Sequence, residues 1–146
     1  MQLILKFNIF LAIIIIFLFS NPLSSHGEVK GVIKDRHMAM SKIKNFAEKS
    51  YKQIAVKKNT ENLDEYADEL LKNAQLFIKL FPEGSEGDSS SNIWNEDDLF
   101  LEYNEKFVKD IISYKESITS EEIESIQIEF NKMASNCGIC HKKFKK

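Results

Sequence analysis

The sequence predicts an all-α protein, an antiparallel four-helix bundle. Three observations carry the prediction. Apolar residues recur at intervals of three and four along four separate segments, no useful length alternates with the period of two that a strand requires, and one Gly- and Ser-rich break divides the second segment from the third. At 146 residues the chain is long enough for one packed core and short for two.

The first residues stand apart from that core. After Met1 to Lys6 comes FNIFLAIIIIFLFS, without a charge from Phe7 to Ser20, then Asn21-Pro22 and the small-residue stretch Leu23 to Gly27. A basic start, an apolar middle and a small, polar exit form a secretory signal peptide, so residues 1–27 are expected to be removed, with the cut after Gly27 and Ser25 as the second choice. The apolar run is short for a bilayer anchor, which needs roughly 20 residues. Residues 28–146 then form the domain of an exported, periplasmic protein.

In the first segment Ile33, Arg36, Met40, Ile43, Ala47, Ser50 and Ile54 keep a 3-4 spacing that aligns them on one helical face, with Arg36 as the charged member of an apolar stripe. The second, from about Glu61, repeats the pattern through Leu63, Ala67, Leu70, Ala74, Phe77 and Phe81, and is expected to stop at Pro82. PEGSEGDSSSN follows, a loop by composition, with Ile93-Trp94 expected to fold back on the bundle as a plug. The third segment begins near Asn95 and turns Phe100, Tyr103, Phe107, Ile111, Tyr114 and Ile118 inward. Ser120 is expected to cap the fourth, whose stripe of Ile123, Ile126, Phe130, Met133, Cys137, Cys140 and Phe144 would place both cysteines in the core seam. The 3-4 spacing suits small crossing angles.

Cys137 and Cys140 are the two cysteines of the chain, and they stand in NCGICH with His141 directly after them. Three chemistries use such a cluster. A redox dithiol needs a helix N-terminus that lowers one thiol's pKa, whereas these residues lie deep in a helical period. Structural zinc needs four converging ligands, and adjacent Cys140 and His141 diverge by about 100° on a helix. A haem is wide enough to take each thiol on a different vinyl group, one helical turn apart, while His141 presents its imidazole to the iron. Cys-x-x-Cys-His is the attachment pattern of c-type haem, and an exported chain agrees with it. The sequence therefore predicts haem c joined to Cys137 and Cys140 near the end of the last helix, with His141 on the iron.

Charge excludes other classes. Without Lys6 the domain keeps 19 Lys and Arg against 22 Asp and Glu, a formal charge of −3, and no basic stripe suits a nucleic acid. Lys142, Lys143, Lys145 and Lys146 complement the macrodipole of the last helix, or meet an acidic protein partner. No Ser-His-Asp set, carboxylate pair or phosphate loop stands out, and the chain does not read as an enzyme. Glu96-Asp97-Asp98 reads as a solvated helix start.

These residues together resemble the class II c-type cytochromes, the cytochrome c prime family. The likeness rests on Arg36 and Met40 in the first segment, FPEG at Phe81 to Gly84, Ile93-Trp94 before the third, and CGICHKKFK at the C-terminus, in that order. The resemblance implies a haem-bearing four-helix bundle in which Arg36 lies beside the haem and meets a propionate. Lys145 stands where the family usually has an arginine, and lysine lacks its planar fork. The position of Met40 faces the far side of the iron; family members with an aliphatic or aromatic residue there are five-coordinate, and others use methionine as sixth ligand. The reading adopted is ligation by Met40 and electron transfer to and from redox partner proteins. The alternative is an open haem that binds nitric oxide or carbon monoxide, with Met40 as a core filler. His37 is expected to meet solvent and Met38 another face. The resemblance also implies homodimers through the first two helices. A haemless bundle with a disulfide is the reading from a different class.

Overall fold

A computed structural model describes residues 25–146, and side-chain surroundings from residue 30 onward. The expectation of a signal peptide rests chiefly on residues 1–24, which lie outside the described residues. The expected cut after Gly27 falls in the first turn of α1 (Ser25–Tyr51).

Helix α1 runs on into a π-helical stretch, Lys52–Lys57, whose widened turn buries the adjacent Gln53 and Ile54 and ends at left-handed Lys58. A short link leads to α2 (Leu63–Phe77). The loop that follows contains a single turn, α3 (Asn92–Asn95), before α4 (Asp97–Ile118) and α5 (Ile123–Phe144). The four long helices form the bundle. Among the described residues the chain has no named strand, only one antiparallel bridge between Ser89 and Lys145.

Two boundaries differ from the sequence reading. Helix α2 ends at Phe77, one turn before Phe81, because the carbonyl of Leu80 is turned to the guanidinium of Arg36. Ser120 does not cap α5. Its hydroxyl accepts from the Glu122 amide at 3.3 Å and donates to the Ser117 carbonyl at 2.7 Å, an ST-turn that delays the helix to Ile123.

The main core joins all four long helices through Ile43, Leu70, Ile111, Ile126 and Met133. Buried apolar side chains of this size are each worth about 1.5–3 kcal/mol. A second cluster of Ile93, Phe100 and Phe144 lies at the end of the bundle where α2 stops and α5 ends. Ile93 is buried, and Trp94 Nε1 donates to the Phe81 carbonyl at 3.2 Å, so this pair does plug the loop against the bundle.

The helices do not enclose the core evenly. Close packing joins α1 to α2, α2 to α4 and α4 to α5. Helix α5 meets the first helical arm mainly through the π-helical stretch, and α1 itself stands off from α5. The gap between α1 and α5 is where the site lies.

Candidate functional site

Helix α5 carries the cysteines, and only Cys140 packs against the core, at its second cluster. Cys137 is exposed and Cys140 is half-buried. The buried position is Asn136, whose Nδ2 donates to Asp110 Oδ2 at 2.8 Å and whose Oδ1 accepts from Lys106 Nζ at 3.0 Å. This anchor rotates the stripe by one residue after Met133. Both cysteines consequently border a cavity between α1 and α5.

The surroundings raise both thiols instead of activating one as a redox dithiol requires. Burial, helped by the neighbouring Cys137, pushes the Cys140 thiol up to about 11, so it stays protonated at neutral pH. For His141, partial burial and then the charge of Lys145 lower the pKa, which keeps the imidazole neutral with a free lone pair. Among the described residues no three His, Cys, Asp or Glu side chains gather into a metal-holding group.

Two adjoining cavities lie in the gap. The outer, about 190 Å³, is lined by Arg36, His37 and Met40 of α1 and by Cys140, His141 and Phe144 of α5. The inner, about 50 Å³, shares Met40, Cys140 and His141 and is closed by Phe107, Asn104 and Cys137. Met40 and His141 thus face one space from opposite helices. Met38 is exposed, and His37, at the rim, sits 3.7 Å from Asp88.

Aromatic rings wall the outer cavity in an edge-to-face series, Phe77 to Phe81 to Phe100 to Phe144, with centroids 4.9, 4.8 and 5.1 Å apart. Each such contact adds about 0.5–1.5 kcal/mol beyond burial. The series ties the end of α2, α4 and α5 into one rigid, dry wall.

Arg36 is 7% exposed and uses all five of its N–H groups. Nε and Nη2 donate to the Leu80 carbonyl at 3.1 and 2.8 Å, Nη1 to the Glu86 carbonyl and Ser89 Oγ at 3.0 Å each, and Nη2 also to Ser85 Oγ at 2.8 Å. The guanidinium carbon lies 4.0 Å above the Phe81 ring. Every acceptor is neutral, and among the described residues no carboxylate forms an ion pair with it. A buried cation without an anion is costly, so this wall of the cavity favours a negatively charged group of a ligand. Burial accordingly lowers the Arg36 pKa from its usual value.

The loop that Arg36 holds is also tied to the C-terminus. Ser90 N donates to the Phe144 carbonyl at 2.9 Å and Lys146 N to the Asp88 carbonyl at 3.1 Å. Of the tail lysines, Lys143 pairs with Glu96 at 2.7 Å and Lys146 with Glu86 at 3.5 Å. The sequence reading missed this support: Ser85 and Ser89 were indistinguishable from other loop serines, and the buried Asp110 and Asn136 looked like surface polar residues. Lys106 and Asp110, four apart on α4, gave the one local signal.

A thiol pair at the edge, a neutral imidazole, a facing thioether, an aromatic wall and an unpaired cation fit a flat, apolar, anionic macrocycle such as haem. The profile of the family Cytochrome C′ matches residues 31–145. Solved structures agree in fold. A nitric oxide complex of a variant of cytochrome c prime from Alcaligenes xylosoxidans is 16% identical, covering 81% of this chain and 95% of that one with a TM-score of 0.76. Cytochrome c′ from Rubrivivax gelatinosus is 17% identical, covering 79% and 94% with a TM-score of 0.73. No curated protein matches the sequence.

Proposed function

The chain belongs to the cytochrome c′ family and is a haem c protein, and from that premise we propose that it is an exported, periplasmic electron carrier whose iron is bound by His141 and Met40. The observation that carries the reading is that Met40 and His141 line one cavity from different helices, with Cys140 also on its lining. Bound haem supplies a one-electron iron couple. Cys137 and Cys140 would anchor it through two thioethers, and neutral His141 would give its lone pair to the metal. Met40 would supply a soft thioether sulfur to the same metal, which would favour the reduced iron. The Phe77 to Phe144 ring series excludes water, and Arg36 offsets the charge of a propionate through its field while its N–H groups hold the loop.

A metal held by both His141 and Met40 would change its surroundings little on gaining an electron, which would suit exchange with redox partner proteins. Lys142 and Lys145, free of ion pairs among the described residues, suit an acidic partner surface. Replacement Met40→Ala tests the ligand. The wild-type spectrum is expected to be low-spin and that of the variant high-spin; a wild type already high-spin overturns the assignment of Met40.

A second reading has its own support. Methionine fills core gaps as readily as it ligates, and a fold relative was solved with nitric oxide bound. In that reading Met40 only packs, and nitric oxide or carbon monoxide takes the open position.

A further inference from the structure

We propose that the carboxylate of Asp110, buried between α4 and α5 behind Asn136, holds down the reduction potential of the haem site. The inference rests on the haem c assignment and is independent of which group is the sixth ligand.

The Asp110 side chain is 4% exposed, on a helix face where a carboxylate is not needed for solubility. Four groups face it. Lys106 Nζ and Asn136 Nδ2 both donate to Oδ2, Lys132 Nζ approaches Oδ1 at 3.5 Å, and Glu129 draws Lys132 outward at 3.3 Å. Asn136 in turn lines the inner cavity beside Cys137, Cys140 and His141. One amide side chain therefore separates the carboxylate from the cavity that His141 lines.

The cluster is asymmetric in its exposure. The side chains of Lys106 and Lys132 are 52% and 50% exposed, so water and salt screen their charges. The anion, by contrast, sits inside the protein, where fields are screened far less. Seen from the cavity, the buried anion is only partly offset by two cations whose side chains are half-exposed. Such a charge stabilises the ferric site, which carries one more positive charge than the ferrous one. The same ties keep the carboxylate ionised: burial acts to raise its pKa, but the hydrogen bonds from Lys106 and Asn136 and the charges of Lys106 and Lys132 outweigh burial and hold it below the usual value.

The test is the midpoint potential of the holoprotein by spectroelectrochemistry for three charge variants. Asp110→Asn keeps the shape and one acceptor oxygen for Lys106 and Asn136 while removing the charge, and is expected to raise the potential, a several-fold shift of the ferric/ferrous equilibrium toward ferrous. Lys132→Gln, on an exposed side chain, is expected to lower it. Asp64→Asn, at the start of α2 and the far end of the bundle, is the control and is expected to leave it unchanged. A purely structural role for Asp110 would change stability without this pattern. The proposal is overturned if Asp110→Asn leaves the potential unchanged, lowers it, or shifts it no more than Asp64→Asn does. Should Asp110→Asn not yield folded holoprotein, Lys132→Gln decides alone, and an unchanged or raised potential overturns the proposal. Loss of low-spin character in Met40→Ala concerns the axial ligand and is read from the spectrum, so the two failures are distinguishable.

Discussion

Arg36 is a charged residue on an apolar stripe, and the structure gives it more partners than a surface residue could use. Its fork holds Leu80, Ser85, Glu86 and Ser89 in one cage, joining α1 to a loop 44 to 53 residues away. Lysine has the charge but neither the planar fork nor five donors. Arg36→Lys is therefore expected to cost about 2–4 kcal/mol, since several buried acceptors lose their donors, and urea denaturation of the holoprotein measures it. A loss below about 0.5 kcal/mol would mean that the cage is not a structural unit. Arg36 was legible in the sequence as an anomaly of the pattern, and Cys137, Cys140 and His141 as a motif. Asn136 was not, because an asparagine beside a cysteine reads as solvent-facing until its partner Asp110, 26 residues earlier, is in view.

At the scale of elements, the helices were legible because burial follows the 3-4 spacing: Leu63, Ala67, Leu70 and Ala74 are all buried on α2, as Ile126, Phe130 and Met133 are on α5. Their ends were less so. The end of α2 depends on Arg36, the start of α5 on the Ser117 and Ser120 turn, and the π-helical stretch on a fit between Gln53 and the Glu61 carbonyl at 3.0 Å. None of these is a periodic signal. The contact between α4 and α5 has a pH signature. The folded pKa of Asp110 lies below the ordinary carboxylate value of about 3.9, so its contribution to stability is complete above that value. It is lost as pH falls through it toward the depressed folded value. Stability measured by denaturant from pH 6 to pH 3 is expected to fall less steeply in Asp110→Asn than in wild type. Equal slopes would show that Asp110 is not held ionised by the fold.

For the whole molecule, the decisive feature is an incomplete bundle. Three helix pairs close the core, and the fourth side, between α1 and α5, stays open over the aromatic wall, bordered by the thiols and His141 on one helix and Met40 on the other. Helical periodicity alone implies a closed bundle and gives no hint of the gap. What pointed to it was chemistry: two cysteines and a histidine have no reason to sit on a helix stripe unless something is held there. The most direct measurement of the His141 and Met40 assignment is the absorption spectrum of the reduced protein before and after carbon monoxide is added. The predicted result is a sharp low-spin spectrum that carbon monoxide leaves unchanged; a high-spin spectrum converted by carbon monoxide would contradict it and establish the open, gas-binding site instead.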